Sequence, residues 1–206
     1  MPGIHEAMGD YMERELQLTR EQADALRRRY WLRYGATLLG LVRHHGVKAA
    51  HFLHDTHRLP GLEARVSGHR HDFAALKRLP GRRLILTNAP RDYAMRVLGA
   101  LRITHLFDAV ISIEDMAMFG HLRPKPDARM LRALVARLRV PASRCVLVED
   151  TLVHQKAARS VGLRTVWMRR YAQRRPAAPP SRRCGRPGYV DRQVRALRQL
   201  RRFPPR

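Results

Sequence analysis

The chain is short of acid, lysine, cysteine and aromatic side chains, and each shortage removes a class of protein. Two cysteines, Cys145 and Cys184, stand in 206 residues. That is too few to staple a disulfide scaffold, and their spacing matches no zinc motif. A reducing, cytoplasmic setting is the expectation. No stretch approaches the roughly 20 apolar residues of a membrane span, and the opening MPGIHEAMGDYMERE has no apolar core of a signal peptide. What is present is enough for a fold: 45% hydrophobic and 28% charged residues exclude wholesale disorder and allow a sizeable core.

Lysine plus arginine number 41 against 17 acids, a net charge of +24, yet only Lys48, Lys77, Lys125 and Lys156 are lysines. The excess is uneven. From Arg164 to Arg206 there are 14 arginines and a single acid, Asp191. Such a segment can hold phosphate backbones without sequence preference, or it can be a solvated appendage. No recognition motif and no aromatic platform accompanies the arginines, so a nucleic-acid or other polyanion partner through residues 174–206 is the alternative role rather than the primary one.

Three stretches separate by pattern: helical over residues 1–79, α/β over 80–172, and a basic Pro/Arg-rich tail over 173–206. In the first, apolar residues recur at helical spacing (Met8, Tyr11, Met12, Leu16, then Ala23, Leu26, Tyr30, Trp31, Tyr34), and Thr19 with Gln22 is a capping box that starts a helix. In the second, strands are expected at Leu84–Leu86, Ala109–Ile113, Cys145–Val148 and Thr165–Met168, with helices at Asp92–Leu98, Asp127–Leu138 and Gln155–Ser160. That alternation predicts a Rossmann-like parallel sheet with helices on both faces. In the third, Arg174–Pro187 reads as a linker without a core, and Tyr189–Leu200 as a short basic amphipathic helix.

Ligands of open parallel sheets bind at the carboxyl ends of the strands. There the sequence places Thr87 and Asn88 after the first strand and Glu149 and Asp150 after the third, while Lys125 lies in the loop RPKPD. A hydroxyl, an ammonium and adjacent carboxylates suit a phosphate-plus-cation site: Thr87 can donate to a phosphoryl oxygen, Lys125 can balance charge, and Asp150 is a hard oxygen ligand for Mg²⁺. Singly, each has a plainer use, as a helix cap or a surface lysine. Their order along the chain carries the information.

LILTNAP, RPKPD and VLVEDT, in that order, resemble the second, third and fourth motifs of the haloacid dehalogenase (HAD)-like hydrolases. RRRYWLRYGATLLGLVRHHGV and DTHRLPGLE resemble the pyrimidine 5′-nucleotidase branch, over roughly Ile4 to Tyr171. The resemblance implies a helical cap closing over a nucleotide substrate, with hydrolysis of nucleoside 5′-monophosphates assisted by Mg²⁺. It implies Thr87 and Asn88 at the phosphate, Lys125 as the charge-balancing lysine, Asp150 as metal ligand and Glu149 as its neighbour. These hydrolases open with a strand ending in Asp-x-Asp, the nucleophile and the general acid/base, and the 206 residues contain no Asp-x-Asp. In the family that strand lies between the LILTN and CVLVE strands. The expectation is a sheet missing its central strand and a chain that is poorly stable and inactive as it stands, through a start assigned too far downstream or through a real loss. A smaller departure is His154, where relatives commonly carry Asn.

Other signals have structural readings. His51, His54 and His57 are spaced for one helix face and a transition metal, but solvated or capping roles are expected, with His44 or His45 a candidate substrate contact. Tyr30, Trp31 and Tyr34 read as a packing face, and Cys145 as an inert residue of a buried strand.

Overall fold

The computed structural model describes residues 2–170 and 185–202. Six helices come first, α1 (Pro2–Leu16), α2 (Arg20–Tyr34), α3 (Thr37–His45), α4 (Ala49–His57), α5 (Leu62–Arg65) and α6 (Arg70–Lys77). The rest alternates: β1 (Leu84–Leu86), α7 (Arg91–Ala100), β2 (Ala109–Ile111), β3 (Ala117–Met118), β4 (His121–Leu122), α8 (Ala128–Leu138), β5 (Val146–Glu149), α9 (Leu152–Ser160), β6 (Arg164–Met168) and β7 (Arg192–Val194). Contacts gather into two units, Met1–Ser67 with Arg82–Pro124, and Gly68–Gly81 with Lys125–Arg206. α6 packs on the 3₁₀ turn Leu197–Arg202, where Asp72 Oδ1 accepts the Leu197 N–H at 2.9 Å.

In the first unit the capping box is in place. Thr19 Oγ1 accepts the Gln22 N–H and Gln22 Oε1 accepts the Thr19 N–H, so α2 starts where two orphan donors find partners. Gly35, at φ 78°, ends α2 in the left-handed region. Gly40 is needed for another reason: a Cβ there would stand 2.1 Å from the Tyr30 ring, so α2 and α3 touch only because that position is bare. Tyr30 accordingly lies in a core with Tyr11, Met12, Leu41 and Phe52, while Tyr34 packs at its margin. The packing-face reading of Tyr30 therefore holds.

β1 and β2 pair in parallel, Leu84 opposite Ala109 and Leu86 opposite Ile111. β2 stops short of Ile113 because Ser112 turns the chain: Asp115 accepts both its N–H and its hydroxyl, opening the 3₁₀ turn Ile113–Met116. The antiparallel hairpin of β3 and β4 that follows was not expected from the sequence, since two-residue strands carry no readable period.

In the second unit β5, β6 and β7 form a parallel ladder in that order. Asp127 starts α8 by accepting the Arg129 and Met130 N–H groups at 2.8 and 3.0 Å. The expected helix over Tyr189–Leu200 is corrected: Arg192–Val194 is a strand on β6, followed by a 3₁₀ turn. Val190 and Val194 are 1% and 2% exposed, so this segment belongs to the core rather than to a solvated tail. A spacing of four fits both the helical and the strand period, and tertiary partners decide it. Asp191 accepts the Thr165 N–H at 2.8 Å and pairs with Arg159 at 2.9 Å, pinning the chain beside β6. The linker read over Arg174–Pro187 lies mostly outside the described residues. Cys145 is half-buried at the start of β5 rather than buried.

β1 and β5 are therefore edge strands of separate ladders. β5 leaves Val146 and Val148 39% and 37% exposed, unusual in a parallel sheet, whose strands are ordinarily covered on both faces.

Candidate active site

The residues singled out in the sequence fall in both units, and each group has its own geometry. In the first unit, Thr87 closes the rim of β1. Its N–H donates to Ile111 O at 2.9 Å, extending the ladder one residue beyond the strand, and its Oγ1 accepts the Ala89 N–H at 3.1 Å. Thr87 is not the cap of the next helix, because Pro90 holds the N-cap position of α7. Its hydroxyl oxygen is held as an acceptor within the turn, which leaves its proton to donate to an anion. Asn88 is half-buried in the same turn.

In the second unit, Lys125 is no surface residue. It is 9% exposed, its peptide to Pro126 is cis, and its Nζ donates to Glu149 Oε2 at 2.8 Å. Glu149 Oε1 accepts the N–H groups of Asp150 and Thr151 at 3.1 and 3.2 Å. His154, one turn into α9, brings Nδ1 to 3.2 Å from Glu149 Oε2, but both its ring nitrogens are buried without a well-directed hydrogen bond. Burial works against the charged form of Glu149. The nearby His154 and the Lys125 charge outweigh it and hold its carboxyl below the usual carboxylate range. Asp150 is pushed the other way, first by the partial burial of its carboxyl and then by Glu149 beside it.

The structure thus brings Lys125, Glu149, Asp150 and His154 together and sorts the carboxylates. Both Glu149 oxygens are committed to protein donors. Asp150 shares Oδ1 with the Thr151 hydroxyl at 3.1 Å, and its side chain reaches solvent. A hard cation takes several oxygen ligands, and among the described residues no group of three acidic, His or Cys side chains is spaced to hold a metal. Asp150 fits a single protein ligand to a heavily hydrated Mg²⁺, and Glu149 fits the neighbour that aligns it. Two contributors escaped the sequence reading. Gln155, wholly buried, donates Nε2 to Glu149 O and Val166 O at 2.9 and 2.6 Å, and Trp167 Nε1 donates to Asp150 O at 3.0 Å. Both fix the backbone of the Glu-Asp pair, and no local motif marks them.

One strand rim in the first unit carries the Thr87 hydroxyl, and one rim in the second carries the lysine-anchored Glu149–Asp150 pair. A family model described as haloacid dehalogenase-like hydrolase matches residues 10–162. The chain belongs to the haloacid dehalogenase-like hydrolases. It is 32% identical over 120 residues to a plasmid-encoded phosphoglycolate phosphatase of Cupriavidus necator, an alignment covering 58% of this chain and 46% of that protein; the alignment spans about half the length of that curated relative. Among solved structures it resembles CbbY from Rhodobacter sphaeroides in complex with phosphate, with a TM-score of 0.61 at 20% identity, covering 96% of this chain and 88% of that one. It also resembles the L-2-haloacid dehalogenase PA0810, with a TM-score of 0.57 at 20% identity, covering 98% and 93%. These likenesses are of fold.

Proposed function

We propose that the chain carries the helical cap and the phosphate- and metal-directed residues of a Mg²⁺-dependent phosphomonoesterase acting on nucleoside 5′-monophosphates. One observation carries it: Lys125 is buried against Glu149 directly before Asp150. A buried ammonium is costly unless its charge is used, and a strand rim that places a fixed cation beside a solvent-reaching carboxylate suits a doubly charged phosphate and its divalent counter-ion. Thr87 supplies a hydroxyl donor and Asn88 an amide for phosphoryl oxygens. Mg²⁺, held through Asp150, would neutralise phosphate charge in the transition state. The nucleotide assignment rests on the YGATLLGL and DTHRLPGLE blocks.

The nucleophile is not among the 206 residues, which hold no Asp-x-Asp. We infer that the acting form supplies it on a further strand. Val146 and Val148 of β5 are uncovered, and a strand laid beside β5 would find apolar cover there. A second substrate reading follows from the phosphoglycolate phosphatase relative, namely a small phosphorylated hydroxy acid.

The test is phosphate release by the chain extended with a strand ending in Asp-x-Asp, using UMP, CMP and 2-phosphoglycolate with and without Mg²⁺. Mg²⁺-dependent release from the nucleotides is expected. Release from 2-phosphoglycolate alone selects the second reading, and no release from any of them overturns both.

A further inference from the structure

A cavity of about 870 Å³ lies within the first unit. It is bounded by the last turn of α4, the turn through Leu59 and Pro60, and the first half of α7. Its volume falls within the range of small-molecule pockets. Leu53, Leu59, Pro60 and Pro90 give it apolar walls, and the rings of His57 and Tyr93 meet edge to face within its lining, their centroids 5.3 Å apart.

His57 is the informative group. Its Nδ1 lies 3.2 Å from Leu53 O, which can only accept. Thr56 Oγ1, 2.9 Å from the same nitrogen, gives its own proton to Phe52 O at 2.7 Å and so also accepts from His57. Nδ1 therefore carries the ring proton, and Nε2 carries a lone pair. Burial lowers the ring's pKa to about 4, so this neutral tautomer prevails at neutral pH. Among the described residues Nε2 has no hydrogen-bond partner, and it is not shut away from solvent. The cavity thus offers an acceptor that awaits a donor.

Two arginines border the same space. Arg96 is engaged, with Nε and Nη2 on Glu63 at 2.6 and 3.1 Å and Nη2 on Leu59 O at 2.9 Å. The Arg58 guanidinium has no partner among the described residues. The acids on the rim differ in the same way: both Glu114 oxygens accept the Arg91 N–H, at 3.1 and 3.2 Å, while Asp92 is exposed.

We propose that this cavity binds a small organic anion bearing a hydroxyl or N–H donor on an apolar body, with the donor on His57 Nε2, the anionic group on Arg58 and the body against Leu53, Tyr93 and Pro60. Binding there needs no nucleophile. An apolar ligand without a donor leaves the imidazole lone pair unpaired.

The test uses 4-hydroxybenzoate, which carries both features on a ring. Benzoate lacks the donor and 4-hydroxybenzyl alcohol lacks the charge. Binding to the full chain is followed by calorimetry and by the ¹⁵N shifts of the histidine rings. Saturable binding of 4-hydroxybenzoate is expected, with a shift at His57 Nε2. Losing one neutral hydrogen bond weakens binding about 2- to 10-fold, so benzoate should bind more weakly by that factor. Arg58→Ala, an exposed substitution that leaves the fold alone, should weaken 4-hydroxybenzoate about tenfold and leave the alcohol unchanged. No saturable binding, equal binding of benzoate and 4-hydroxybenzoate, or indifference to Arg58→Ala would overturn the proposal.

Discussion

His57 gives stability a pH dependence that can be worked through. The ring is 8% exposed and its pKa falls from 6.5 to about 4 because burial disfavours the imidazolium. The backbone bond to Leu53 and the charge of Glu114 oppose that shift without cancelling it. In the unfolded chain the same ring takes up a proton near its ordinary value. Between the two values the unfolded state binds more protons, so stability falls as pH falls, beginning near pH 6.5 and levelling off near pH 4. A shift of that size corresponds to about 3 kcal/mol in full, of which about 2 kcal/mol is lost by pH 5. That is a large part of the ~5–15 kcal/mol that holds a typical domain together. The assay is urea unfolding of the wild type and of His57→Gln between pH 7.5 and 4. Other titrating groups contribute alike to both proteins and cancel in the difference. The stability gap between them should move by about 3 kcal/mol across this range in favour of the variant at low pH. Parallel curves would show that His57 titrates in the folded protein as it does in water, and the argument from burial would fail.

Further outcomes follow from the packing. Lys125→Ala leaves the Glu149 carboxylate buried beside a missing cation and should cost about 3 kcal/mol or more; Lys125→Met with Glu149→Gln should recover most of that loss in a double-mutant cycle by thermal denaturation. Gly40→Ala drives a methyl into the Tyr30 ring and should destabilise by about 1–3 kcal/mol, read from the urea midpoint. Val194→Ala removes two methyl groups from a site 2% exposed and should cost about 2 kcal/mol, whereas a solvated tail would show no change in midpoint.

Strand and helix positions along the α/β stretch were readable because apolar runs of three to five residues there alternate with one-faced helices: Leu84–Leu86 is found as expected, and the other expected elements differ by one to three residues at their ends. Where the reading stopped, the missing information was tertiary. Val190 and Val194 satisfy two periods at once, and only Asp191, held by Thr165 and Arg159, selects the strand. The turn after β2 depends on Asp115 reaching back to Ser112, a capping box hidden inside an apolar run. The division into units was invisible because it rests on α6 meeting residues more than a hundred positions later in the chain.

The proposed site is marked in the sequence by residue type and position alone. Thr87, Lys125, Glu149 and Asp150 stand out in the sequence because each follows a strand or lies in a rigid loop and has a distinctive residue type. Gln155 and Trp167 hold that rim through backbone oxygens, which no side-chain motif can announce. The unpaired Nε2 of His57 depends on a tautomer set by two neighbouring acceptors, and the sequence shows only another histidine in a run of them.

The proposed function implies that these 206 residues hold phosphate- and metal-directed groups but no attacking carboxylate. Its most direct measurement is single-turnover hydrolysis of p-nitrophenyl phosphate by the purified 206-residue chain with saturating Mg²⁺, with acid-stable trapping of any phosphoryl-enzyme. Neither released p-nitrophenol above the uncatalysed rate nor a labelled protein is expected. Turnover that disappears on Asp150→Asn, or a phosphoryl group trapped on any carboxylate of this chain, would contradict it.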